Sequence, residues 1–88
     1  MPAPHNPFKA AINKGELQVG CWLGLADAYV AEISASARFD WVCIDGEHSP
    51  NDLRSIMAQL QVLKSSGTHT MVRPPVGDTA LIKQYLDA

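Results

Sequence analysis

Apolar residues occur along this 88-residue chain in two alternating patterns: short near-continuous runs, and stretches with an apolar position every three or four residues. Leu17 to Leu25, Phe39 to Asp45 and Thr70 to Arg73 are runs of the first kind and predict three strands, the last stopped by Pro74-Pro75. A helical pattern follows each run. Asp27 is placed to cap a helix with Val30, Ile33 and Ala37 on one face. Ser49 is placed to cap the next, with Pro50 in its first turn and Asp52 at N3. Leu53, Ile56, Met57, Leu60 and Leu63 then follow at helical spacing, and Gly67 closes it. Asp78 caps a third helix whose inner side carries Leu81, Ile82, Tyr85 and Leu86. Ahead of the first strand, Asn6, Pro7, Phe8 to Lys14 and Gly15 make a short helix with its N-cap, N1 proline and C′ glycine in place.

The strand from Phe39 to Asp45 is apolar on both alternations, as strands buried on both faces of a parallel sheet are. Three strand–helix units at this step length predict the α/β class, and within it the first three βα units of a (β/α)₈ TIM barrel. The third unit breaks off inside its helix at Leu86-Asp87-Ala88. A closed barrel takes about 250 residues, and three parallel strands alone leave two open edges and a bare interior face. The expectation is therefore that residues 1–88 are the N-terminal fragment of one barrel domain. A self-contained three-strand domain is the structural alternative.

Composition narrows the function classes. With 47% hydrophobic residues, 18% charged residues and a net charge of −2, the chain has no basic excess to suggest nucleic acid. Its apolar runs are too short to span a bilayer. Met1-Pro2-Ala3-Pro4-His5 lacks a leader pattern, and Cys21 and Cys43 lie in apolar surroundings as buried free thiols. A cytoplasmic protein is expected.

Chemistry concentrates after the second strand. Asp45, Glu47 and His48 arrive within four residues, just where parallel α/β proteins build sites, at the carboxyl end of a strand. Trp22 and Gly24 end the first strand and Arg73 ends the third, on the same rim. An arginine on an apolar strand needs an anion: a substrate carboxylate or enolate oxygen, or else Asp45 on the neighbouring strand. His48 beside carboxylates is a general acid–base candidate. Direct metal coordination by Asp45, Glu47 and His48 together would need an unusual turn. Asp40 is expected to cap or pair at the opposite end, His5 and His69 lie off the rim, and neither cysteine has the cationic surroundings of a nucleophile.

Several segments together carry a resemblance. Gly20-Cys21-Trp22-Leu23-Gly24-Leu25, Ala31-Glu32-Ile33, Phe39-Asp40-Trp41, Ile44-Asp45-Gly46-Glu47-His48-Ser49-Pro50, Val72-Arg73 and Ile82-Lys83-Gln84-Tyr85-Leu86-Asp87 resemble the start of the HpcH/HpaI aldolases, metal-dependent pyruvate aldolases of the 4-hydroxy-2-oxoheptanedioate type. The match runs from about Phe8 to Ala88. Arg38 departs from it, standing where the family often has glycine. The resemblance implies a (β/α)₈ barrel, usually in a homo-oligomer, that reversibly cleaves 4-hydroxy-2-oxo acids to pyruvate and an aldehyde through a metal-bound enolate. It implies a divalent ion (Mg²⁺, Mn²⁺ or Co²⁺) whose direct Glu and Asp ligands sit on later strands, so that no metal ligand falls in this chain. By the same resemblance His48 is the acid–base residue and Asp45 orients it. Arg73 holds the oxo group and steadies the enolate, Glu47 holds a water on the metal, and Trp22 walls the pyruvate side. The isolated chain would then hold half a site, with activity belonging to the full-length parent. Two alternatives stand beside this: a citryl- or malyl-thioester lyase of the same superfamily, and an inactive truncated piece serving binding or assembly.

Overall fold

Trp41, Val42, Cys43, Ile44 and Asp45 form the middle strand of a three-stranded parallel sheet, with Val42 and Ile44 buried on one face and Cys43 and Asp45 on the other. The computed structural model describes residues 3–88; Met1 and Pro2, which fall in the segment read above for a leader pattern, lie outside them. In chain order the elements are α1 (Pro7–Asn13), β1 (Gly20–Leu23), α2 (Ala28–Ser36), β2 (Trp41–Asp45), α3 (Leu53–Leu63), β3 (His69–Arg73) and α4 (Thr79–Asp87). The spatial strand order is β1-β2-β3, so α2 and α3 are the crossovers between parallel strands, α4 follows β3, and α1 precedes the first unit.

Successive side chains point to opposite faces of a strand. Trp22 pairs with Cys43, and Asp45 with Arg73, so these residues share one face with Trp41 and Met71. Leu23, Val42, Ile44 and Val72 share the other. There the core forms: Leu23, Val42 and Ile44 pack with Ala31 of α2 and with Ile56 and Leu63 of α3, extended by Phe39, Leu60 and Tyr85. On the first face Phe8 of α1 lies against His69 at the amino end, with ring centroids 5.7 Å apart, while Trp22 towards the carboxyl end is 51% exposed. The register also turns Cys21 and Cys43 to opposite faces; both are free thiols, Cys43 buried and Cys21 half-buried.

The predicted three units, the order of elements and the N-caps Asn6, Asp27 and Asp78 are all present. Four details differ. β1 is shorter than Leu17–Leu25, because the N–H of Val19 goes to the Asp40 carboxylate (2.8 Å) rather than to a strand ladder, and Ala26 at φ 54° turns the chain away. That contact is the stitching role expected of Asp40, at the amino end of β2. In α2 the buried residue is Ala31 while Ile33 and Ala37 are exposed; α2 and α3 are in contact, and the smallest side chains of α2 face the core. The N-cap of α3 is Asp52, not Ser49: its carboxylate accepts from Ser55 N (2.9 Å), and Ser55 Oγ accepts from Asp52 N (2.9 Å) in a reciprocal box. Finally, the inner stripe of α3 is Ile56, Gln59 and Leu63, with Met57 exposed, and in α4 Leu81 and Tyr85 turn inward while Leu86 is 82% exposed.

Candidate active site

β2 ends on Asp45 and β3 ends on Arg73, and the register sets the two directly opposite. The guanidinium meets the carboxylate edge-on, with Nε 3.0 Å from Oδ1 and Nη2 2.7 Å from Oδ2. This is the bidentate geometry that an arginine fork and a carboxylate favour. The loop leaving β2 then folds back over the same group. The backbone N–H groups of Glu47 (2.9 Å) and His48 (3.1 Å) donate to Oδ1, and Trp22 Nε1 donates to Oδ2 at 3.2 Å. Five donors thus converge on one carboxylate that is only 4% exposed. The indole of Trp22 also lies 5.1 Å from the guanidinium carbon, as a cation–π partner.

The glycine in this loop has a packing cause. Gly46 N donates to Arg73 O (2.8 Å), and a Cβ on residue 46 would sit 2.7 Å from that oxygen. The close approach to β3 is what excludes a side chain at residue 46. Gly20 plays a matching part on β1, since a Cβ there would penetrate the Trp41 indole.

Arg73 holds the Asp45 carboxyl well below the usual carboxylate range, helped by the Glu47 and His48 N–H groups and the indole against the opposing effect of burial. The carboxylate in turn pushes the arginine up, so the pair is a fixed ion pair and Arg73 a permanent cation. The salt bridge weighed as the alternative partner for Arg73 therefore forms, and it leaves Nη1 outside both contacts with Asp45. Burial, then the Asp45 charge, push the Cys43 thiol up, which keeps it protonated and a poor nucleophile.

His48 is joined to the cluster by its main chain. Its imidazole Nε2 lies 2.8 Å from Glu47 Oε1, with the His48 side chain 71% exposed. Asp45 thus orients the residue through its N–H, and the group facing the ring is Glu47. Sequence reading missed the residues under the loop. Asn51 Nδ2 donates to Asp45 O (2.8 Å), and the buried Gln59 Nε2 donates to Asn51 Oδ1 (2.7 Å). One signal was available: Gln59 occupies a core position of α3, between Ile56 and Leu63.

Among the described residues no cluster of three His, Cys, Asp or Glu side chains is arranged to hold a metal ion. Asp45 has both oxygens occupied by donors, so it is a poor ligand. Glu47, in contact with an exposed imidazole, is a carboxylate that can accept from a metal-bound water.

A parallel βα array that presents a clamped arginine, a buried carboxylate and an exposed histidine at its strand carboxyl ends has the layout in which (β/α)₈ barrels build their sites. Residues 18–88 match the HpcH/HpaI aldolase/citrate lyase family, and the chain belongs to that family. It is 58% identical over 88 residues to the hydroxypyruvate/pyruvate aldolase of Roseovarius nubinhibens, covering 100% of this chain and 34% of that protein. It is 56% identical over 88 residues to the 4-hydroxy-2-oxovalerate aldolase of Rhodococcus jostii, covering 99% and 34%. Its fold matches the crystal structure of an HpcH/HpaI aldolase/citrate lyase family protein from Burkholderia cenocepacia with a TM-score of 0.82 and 35% identity, over 94% of this chain and 34% of the other. The chain spans about a third of the length of the curated relatives it matches. Its three βα units are units of that family's TIM barrel.

Proposed function

We propose that the protein carrying this chain is a carbon–carbon lyase, an aldolase that reversibly cleaves 4-hydroxy-2-oxo acids to pyruvate and an aldehyde. The observation that carries this reading is the Arg73 guanidinium, clamped by Asp45 at the strand carboxyl ends beside the His48 loop. Retro-aldol cleavage develops negative charge on the oxo oxygen of the pyruvate half. A cation oriented before the substrate arrives stabilises that charge with no reorganisation. Asp45 supplies the orientation, because a bidentate carboxylate locks Nε and Nη2 and leaves Nη1 for the substrate. His48, with Glu47 against its Nε2, moves the proton at the substrate hydroxyl or the pyruvate methyl. Trp22 walls the pyruvate side and keeps water from the guanidinium face. A divalent cation (Mg²⁺, Mn²⁺ or Co²⁺), when bound, supplies Lewis-acid polarisation of the oxo acid. Its direct ligands belong to other strands, and Glu47 is the residue here suited to a water on it. The small-molecule substrates need no nucleic acid or membrane. A cytoplasmic location fits the free thiols, and a homo-oligomer is what the family resemblance implies; among the described residues no helix is long and apolar enough to cross a membrane.

The test uses the full-length protein with each cation, following exchange of pyruvate methyl protons in D₂O and cleavage of 4-hydroxy-2-oxo acids. Wild type should do both. Arg73→Ala should lower both by about 10²–10³-fold. His48→Ala should slow them by roughly 10²–10⁴-fold while leaving cation affinity intact. Collapse of cation binding in His48→Ala would make the histidine a ligand. Absence of proton exchange in the wild type overturns the reading, and cleavage of citryl or malyl thioesters in its place would establish the thioester lyase.

A further inference from the structure

Gln59 is 1% exposed, on the stripe of α3 that otherwise carries Ile56 and Leu63 into the core. A primary amide there must be hydrogen-bonded or it destabilises the fold. Its Nε2 donates to Ser55 O (2.9 Å) and to Asn51 Oδ1 (2.7 Å), and Ser55 Oγ donates to the same Oδ1 (2.9 Å). Asn51 passes the connection on: its Nδ2 donates to Ser49 Oγ (2.9 Å) and to the main-chain oxygen of Asp45 (2.8 Å), which the Ser49 hydroxyl also reaches. The loop between β2 and α3 is therefore tied to both ends of one residue. Glu47 and His48 bind the Asp45 carboxylate by their N–H groups, while Ser49 and Asn51 bind its carbonyl by their side chains.

Apolar residues of the same shape at both positions 51 and 59 would serve the core as well, since exchanging both partners of a polar pair for apolar groups is often neutral for stability. The amide is better accounted for by the loop it supports than by the core it sits in. We propose that Asn51 and Gln59 are positioning residues, an amide pair anchored in the core by Gln59 that sets the β2–α3 loop so that Glu47 and His48 face a substrate held by Arg73. The proposal rests on the lyase reading for its catalytic consequence.

In the full-length protein, Gln59→Leu should speed amide hydrogen exchange in the segment containing Glu47 and His48. Its kcat should fall about 10- to 100-fold, as misplacement of an acid–base group does, with KM near the wild-type value because Arg73 and Asp45 are untouched. In a His48→Ala background Gln59→Leu should add no further loss, an outcome that general loss of structure would not produce. If Gln59→Leu does not fold, Asn51→Ala, at a half-buried position, serves the same three measurements. A folded variant with unchanged kcat, or losses from position 59 and position 48 that multiply independently, overturns the proposal. Failure of the lyase reading shows separately, as a wild type that does not exchange pyruvate protons. Amide protection of residues 47 and 48 then still decides whether the pair sets the loop, and unchanged protection in both variants overturns it.

Discussion

Arg38 stands at φ 62° in the turn between α2 and β2, a left-handed conformation that an L side chain resists, and its N–H closes α2 on Ala35 O (3.2 Å). This is the position where the family resemblance leads one to expect glycine. Arg38→Gly should therefore stabilise the full-length protein by about 0.5–1 kcal/mol in urea denaturation, while Arg38→Ala, which keeps a Cβ, should gain nothing. The Asp45 carboxyl provides a pH test at the same scale. Its folded-state pKa is depressed, chiefly by Arg73, so its stabilising effect is complete above the unfolded carboxyl value of about 3.9 and is lost as pH falls below that. Asp52 is shifted in the same direction by the N–H of Ser55. Melting wild type and Asp45→Asn from pH 7 downward should give a constant gap above about pH 5 that narrows below about pH 4. A gap that widens in acid would mean the ion pair does not hold the carboxylate.

Helix α3 is the element on which the sequence and the structure part most clearly. Its apolar spacing marks Ile56 and Leu63 correctly, but Ser49 and Asp52 are both good N-cap residues, and spacing alone does not choose between them. The structure uses them differently: Asp52 closes the box with Ser55, and Ser49 turns its hydroxyl back to Asp45 O. Asp52→Ala should lower the melting temperature by about 2–4 °C in a protein of barrel size, the effect of a lost cap. Ser49→Ala should spare helix content by circular dichroism and act on turnover. Equal loss of helix in both variants would return the cap to Ser49.

At the scale of the whole chain, the sheet has unpaired outer edges on β1 and β3 among the described residues, and one face that exposes Trp22. Beside the β3 edge runs an apolar groove of about 460 Å³ lined by Leu60, Met71, Val72, Ile82, Tyr85 and Leu86. Such edges and patches promote association. A polypeptide of residues 1–88 alone should show concentration-dependent sedimentation and a broad melt. A sharp, concentration-independent melt of a monomer would establish a self-contained domain. Ile82 and Leu86, apolar at helical spacing on α4, are exposed because they line that open groove: periodicity identifies a stripe that can be buried and says nothing about what lies against it.

The sequence by itself determined the order and kind of the elements, the parallel sheet and the residues on its rim. Each rests on short-range physics: period, capping chemistry and the reach of a turn. Tertiary structure alone decided that Arg73 closes on Asp45 across 28 residues, that Gly46 must lack a side chain to lie against Arg73 O, and that a glutamine in the core braces the loop bearing His48. Those choices depend on which strands lie side by side and in what register. A hydrogen bond forms only where through-space approach brings donor and acceptor within about 3 Å, and no local pattern along the chain records that distance.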